Sequence, residues 1–357
     1  MAIDQLALPR HVIGTSLMAF LLFAGSPANA ESLCDRIKAT FALPADSLCA
    51  ENGAVAVIAP KTDAEKLLIL VQEARTRFEG YFSTATTPLV LIIGQDLNAA
   101  ETSAFARRDL LVLPWPTFAA RIDDIEKSIS DQITAKFPTL DEARRKSIVA
   151  QLLAKFQSSG DGPGSLSPLE AGVIQHEMGH LWFSRFYDGQ PGQTQRPAGP
   201  AGYGSSAPDW LDEIPAILVE NEVLAGKRRE GLQKLLVSNP AGALSLSGFF
   251  ASAHPVRIEG RPTGGGSSVT IRLTAAGGAS EARLLDYYTL SRAFADFLLE
   301  TSGNKAVFQD LAGHVRSGGT VQAWLGVSGE ANGLGSSLGE LDAHWARWLQ
   351  AKRSPPG

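Results

Sequence analysis

The sequence predicts an α+β protein: a small N-terminal α/β layer followed by a mostly helical region and C-terminal helices. Two observations predict it. Between residues 53 and 115, short apolar runs alternate with a segment of helical period. Beyond about residue 120 the apolar residues recur almost entirely at helical spacing, punctuated by capping residues and Gly/Pro breaks. The chain has 357 residues, 44% of them hydrophobic and 19% charged, which suffices for one large domain or two modest ones. The formal net charge of −5 and the lack of a long basic run argue against nucleic acid as a partner.

The first thirty residues read as a secretory signal peptide. A short polar start ends at Arg10 and His11, an apolar run follows from Val12 to Gly25, and Ala28-Asn29-Ala30 offers a small-x-small cleavage site after Ala30. The run falls short of the roughly 20 apolar residues that span a bilayer, and no later segment resembles a membrane span. A periplasmic or secreted protein is therefore expected. In an exported chain Cys34 and Cys49 are expected to pair as a disulfide, worth about 3 kcal/mol in the chain-entropy model. Two buried free thiols are the alternative.

Residues 31–165 are read as the α/β part with a helical segment. Val55-Ala56-Val57-Ile58, Leu89 to Ile93 and Leu110 to Leu113 read as strands. Residues 62–82 place Leu67, Leu70, Val71, Ala74, Phe78 and Tyr81 on one helical face, and 121–157 are helical in pattern. Residues 166–357 make the second part. Ser167-Pro168-Leu169-Glu170 is a strong helix start, with Ser as cap, Pro in the first turn and Glu170 able to reach back as a capping box. That helix should run to about Tyr187 and stop at Asp188-Gly189. The stretch 188–208, rich in Gly, Pro and Gln, is a loop, either a connector or a lid. Asp209 or Asp212 caps a further helix extending to about Leu236. Residues 238–280 are rich in Gly, Ser and Ala, with a short hairpin near Val269 to Leu273. From Glu281 onward the pattern is helical, with a stop at Gly303, a restart at Asn304 and a second capping box at Ser337 to Glu340.

The chemistry lies in His176-Glu177-Met178-Gly179-His180. Helical residues four apart share a face, so both imidazoles can reach one ion at about 2.0–2.1 Å. Glu177 beside them is placed to hold a water and take its proton. A catalytic zinc needs a third protein ligand and one open position. The stretch Leu181 to Phe186 lacks the Gly and His of a metzincin, leaving a carboxylate, and Glu213 in Pro208-Asp209-Trp210-Leu211-Asp212-Glu213 is the candidate.

HExxH followed by P-x-W-L-x-E resembles the gluzincin zinc metallopeptidases, most of all the bacterial peptidase MA-like group, distantly similar to aminopeptidase N-like catalytic domains. The resemblance implies a zincin-like catalytic region and a zinc ion (Zn2+) held by His176, His180 and Glu213. It implies Glu177 as general base and a peptide or protein as substrate. Glu220 matches an acidic position of the same helix, with a supporting role expected. Tyr288-Thr289-Leu290-Ser291-Arg292-Ala293-Phe294 resembles the group's Y-x-x-S-x-x-F helix. Tyr288 would then stabilise the oxyanion; Tyr287 is its rival, and a plain core tyrosine is the other reading. Leu341, Trp345 and Trp348 resemble the group's closing helix. Two features depart from it: Ile214-Pro215 stands after the third ligand, and the G-x-M-E-N signature of aminopeptidases is absent. Pro215 requires a helix beginning near Leu211. His254, beside Pro255, is read as a surface residue, with an approach to the site as the alternative. His314 and His344 are read as surface or packing residues. Two rival functions remain: an inactive zincin-like protein that binds a peptide or cell-envelope partner in its cleft, and a helical protein with a chance motif.

Overall fold

A computed structural model of the chain describes residues 31–158, 166–189, 205–238, 244–255 and 281–353. The expected signal peptide, the hairpin near Val269 and most of the 188–208 loop lie outside the described residues. The chain from Leu33 onward forms one compact unit. Its first elements are α1 (Leu33–Lys38), β1 (Ser47–Asn52), β2 (Val55–Pro60), α2 (Ala64–Phe82), β3 (Leu89–Ile93), α3 (Ala99–Arg107) and β4 (Leu111–Trp115). The sheet runs β1-β2-β3-β4, with β1 antiparallel to β2 and the rest parallel. The α+β class expected from the sequence is the class observed.

Period-two alternation divides the strands between two cores. Val55, Val57, Leu89 and Leu91 face α2 and the later helices, while Ala56, Ile58, Val90 and Ile92 pack with Ile37, Phe41 and Phe105 on the other side. The sequence pattern misses β1, because Ser-Leu-Cys-Ala-Glu-Asn carries no apolar alternation. Pairing with β2 makes it a strand, through a tight turn in which Gly53 takes φ +60°. The Cys34–Cys49 disulfide ties it to α1, as expected.

The helical part comprises α4 (Phe118–Lys136), α5 (Glu142–Ser158), α6 (Pro168–Asp188), α7 (Asp209–Val219), α8 (Glu222–Ser238), α9 (Leu246–Ala251), α10 (Glu281–Ser302), α11 (Val307–Arg316), α12 (Val321–Trp324) and α13 (Leu338–Arg353). The expected helix over 121–157 is two helices, parted around Pro138, which has no N–H to continue the ladder. The expected helix from 209 to 236 is also two. The chain turns at Glu220 (ψ 150°), and the Asn221 side chain accepts from Leu224 N–H at 3.0 Å to start α8. Ser167 caps α6 as expected, accepting from Glu170 N–H at 3.2 Å. The Glu170 carboxylate also receives the Trp115 indole N–H at 3.0 Å, so the cap joins α6 to the sheet.

Helix α6 packs against α2, α7, α8, α11 and β4. Ile174, Met178, Trp182 and Phe183 fill the core, and Phe82, Phe183 and Phe186 cluster beneath. Every residue of α7 from Trp210 to Val219 is buried. Pro215 sits inside α7, which starts at Asp209, two residues earlier than the Leu211 start its accommodation was expected to require. The two helices meet at Gly179, where a Cβ would stand 2.6 Å from Ala216 Cα and 2.9 Å from Pro215 O. The glycine inside His-Glu-Met-Gly-His thus lets α6 and α7 touch backbone to backbone.

Candidate metal centre

Helix α6 presents His176 and His180 one turn apart on its buried face, and α7 brings Glu213 against them. The three side chains lie within metal-holding distance of one another, all buried. The imidazole Nε2 atoms stand 3.2 Å apart. Glu213 Oε1 is 3.3 Å from His176 Nε2, and Oε2 is 3.6 Å from His180 Nε2. Bonds of about 2.05 Å in a tetrahedron give a ligand-to-ligand edge of about 3.3 Å, and the observed spacings bracket it.

Each imidazole is held from behind. His176 Nδ1 is 2.8 Å from Glu220 Oε1, and His180 Nδ1 is 2.8 Å from Asp212 Oδ2. A carboxylate at Nδ1 favours a proton there, so that in the neutral imidazole the lone pair turned inward is that of Nε2. Glu220 is in turn clasped by Arg228 through Nε at 2.7 and 2.8 Å and through Nη2. Asp212 Oδ1 accepts from Ser205 N–H at 3.0 Å and Ser205 Oγ at 2.5 Å. The sequence offered Asp209 and Asp212 as helix caps, but neither serves. Both carboxylates are taken by the site, Asp212 by His180 and Ser205, Asp209 by the His254 N–H at 2.7 Å.

Electrostatics agree with a cation site. Burial opposes charge on His180, yet Asp212, with Glu213 and Glu177 behind it, outweighs burial and lifts the imidazole to about 9. Burial also opposes charge on Asp212 and Glu220, but His180 and Ser205 hold Asp212 below the usual carboxylate range, and His176 and Arg228 do so for Glu220. Asp212, Glu213 and Glu220 are all buried, and Arg228 is the guanidinium paired among them. Glu213 carries the sharpest signal. It is fully buried, and neither carboxylate oxygen accepts a hydrogen bond among the described residues. A buried carboxylate that accepts no hydrogen bond, set against two imidazole edges, costs several kcal/mol unless a cation or a proton joins them. The residues present therefore fit a divalent metal.

Glu177 follows His176 on α6 and is half-buried, close enough to His180 to act on its charge. The two tyrosines of α10 differ. Tyr288 is half-buried, with its ring edge-on to His176 at 5.7 Å and the Arg228 guanidinium 4.5 Å over it. Tyr287 is buried, and its hydroxyl has no hydrogen-bond partner among the described residues. Burial, followed by the Glu213 charge, pushes that phenol well above its usual range. Ser291 and Phe294 of the same helix are packing residues: the Ser291 hydroxyl donates to Tyr287 O, and Phe294 sits against Trp210.

His254 departs from its reading as a surface residue. It is 2% exposed, and its Nε2 lies 3.6 Å from Glu213 Oε2. Helix α9 puts it there, because Phe249 and Phe250 dock on Phe294 and Trp210. The apolar anchors on either side of Ser245 were the available signal. Comparison with family models, with curated proteins and with solved structures finds no match for the chain.

Proposed function

We propose that the protein is a zinc-dependent peptidase, exported through its N-terminal segment, that uses His176, His180 and Glu213 to hold the metal and Glu177 as general base. The observation that carries this reading is the convergence of three buried lone-pair donors, each imidazole backed by its own buried carboxylate. A metal site needs such support, and a chance HExxH string does not supply it. Export is supported by the Cys34–Cys49 disulfide, and no described helix is long and apolar enough to cross a membrane.

Bound zinc supplies Lewis acidity, polarising a carbonyl and bringing a water's pKa toward ~7. The protein's own groups do the rest. Glu177 takes the proton of the attacking water and returns it to the leaving amine. Asp212 and Glu220 keep both Nε2 atoms on target and balance positive charge behind the imidazoles. Tyr288, less buried than Tyr287 and lying against His176, is the hydroxyl a substrate can reach, and it donates to the oxyanion. The Tyr287 hydroxyl, enclosed beside Glu213, is the alternative donor.

The test is hydrolysis of a quenched fluorescent peptide library by the mature chain, with and without chelator, beside Glu177→Gln, Tyr288→Phe and Tyr287→Phe. Chelator-sensitive cleavage that falls about 100-fold or more in Glu177→Gln, with zinc retained, is the expected result. Zinc retention without cleavage of any peptide would transfer the site to the binding-protein reading.

A further inference from the structure

We infer that His254 is a positioning residue for the metal site, aiming the Glu213 carboxylate just as Glu220 and Asp212 aim the two imidazoles. The inference rests on the metal-site reading above and extends it to the third ligand. Two ligands have evident buried partners: Glu220 with Arg228 behind His176, and Asp212 with Ser205 behind His180. Glu213 has a different neighbour. Its Oε1 lies toward His176, and its Oε2 is 3.6 Å from both His180 Nε2 and His254 Nε2.

The structure fixes the His254 ring from several sides. Its backbone N–H donates to Asp209 Oδ2 at 2.7 Å, at the first residue of α7. Its ring meets Tyr287 edge-on at 5.0 Å and Tyr288 at 5.6 Å, so the imidazole is walled by two aromatic rings. The segment that carries it is anchored far from the site. Leu246 N–H donates to Asp342 at 2.9 Å, and the Trp345 indole donates to Leu244 O at 2.7 Å. A side chain held this firmly, with no solvent exposure, has one ring nitrogen directed at one carboxylate oxygen.

At 3.6 Å the contact is longer than a hydrogen bond. What His254 supplies is direction: a fixed, buried ring edge beside Oε2 that limits how the carboxylate can turn, keeping Oε1 toward His176 and Oε2 toward His180. Outer partners of this kind change metal affinity by about 10–100-fold when removed. The His254 position also joins α7 and α10 beside Glu213, just past the end of α9, so a sequence segment far from the ligand motifs has a voice in their geometry.

The test is zinc affinity of the mature chain, measured by competition with a chromogenic chelator. The proteins are wild type, His254→Leu, His254→Gln and His254→Asn, each also melted in chelator to follow the metal-free fold. Glutamine places an amide nitrogen near the Nε2 position, and asparagine falls short of it. Zinc affinity about tenfold weaker or more in His254→Leu and His254→Asn, largely restored in His254→Gln, is the expected result. The Gln and Asn pair keeps the comparison informative should the leucine variant fail to fold. Equal affinity in all four proteins, or equal losses in Gln and Asn, would overturn the inference while leaving the three-ligand site standing. A wild type that binds no zinc would overturn both.

Discussion

Replacing Asp212 by asparagine tests the reading that buried carboxylates aim the imidazoles. The side chain keeps its size, so packing within α7 is nearly unchanged. The negative charge 2.8 Å from His180 Nδ1 disappears, along with the main attraction that lifts that imidazole to about 9 against its burial. The amide can also present its N–H₂ group to Nδ1, which favours the tautomer with the proton on Nε2, the wrong nitrogen for a metal. Ser205 Oγ and N–H, which both donate to Oδ1, oppose this flip by preferring an acceptor there. The net expectation is loss of a charge-assisted hydrogen bond with partial retention of geometry, about 10–100-fold in zinc affinity, or about 1.4–2.7 kcal/mol. Chelator competition at fixed pH and ionic strength reads it. Affinity within about twofold of wild type would refute the orienting role, because a carboxylate that only packs could be neutralised without consequence.

Other consequences follow from packing and charge. Gly179→Ala forces a Cβ to 2.6 Å from Ala216 Cα, so α6 and α7 must separate. The expected cost is about 1–3 kcal/mol in thermal or denaturant unfolding, accompanied by weaker zinc binding; Gly226→Ala, where a Cβ meets nothing within 4 Å, is the control that should not weaken binding. Asp296 is held below its ordinary range against burial by Arg229 and Arg292. A depressed folded-state value means its contribution is present above about pH 4 and is lost as pH falls through the folded value. Asp296→Asn should therefore lower stability at neutral pH and flatten the acid limb of a stability profile; an unchanged limb would contradict the pairing. The Arg229 side of the network is half-exposed and adds little on its own.

What the sequence made legible was local. Ser167-Pro168 marked the start of α6 because a hydroxyl cap and an N-terminal proline act within one turn. His176 and His180 fell on one face through helical period alone, and Glu213 was named beside them from what a three-ligand zinc site would need and from a motif resemblance; the fold brings the three side chains together. Strands β2 and β3 showed as apolar runs because both faces of the inner strands of this sheet are buried, and the edge strand β4 showed through its own apolar run although it is only partly buried. What was hidden depends on partners distant in the chain. β1 exists because β2 and a disulfide hold it, not through its own pattern. The break at Glu220 between α7 and α8 occurs where that side chain is drawn to His176 and Arg228, and Asn221 then caps the next helix. Asp212 looks like a helix-start residue in isolation, and only the fold brings His180 to it. His254 lay in a stretch rich in Gly and Ser, and its burial depends on Phe249 and Phe250 finding Trp210 and Phe294.

The most direct measurement is zinc stoichiometry by elemental mass spectrometry on the purified mature protein, beside a Glu213→Ala variant of matched fold. The three-ligand site requires about one zinc per chain in the wild type, lost or greatly weakened in the variant. Zinc absent from the wild type after refilling, or held undiminished by the variant, would contradict it.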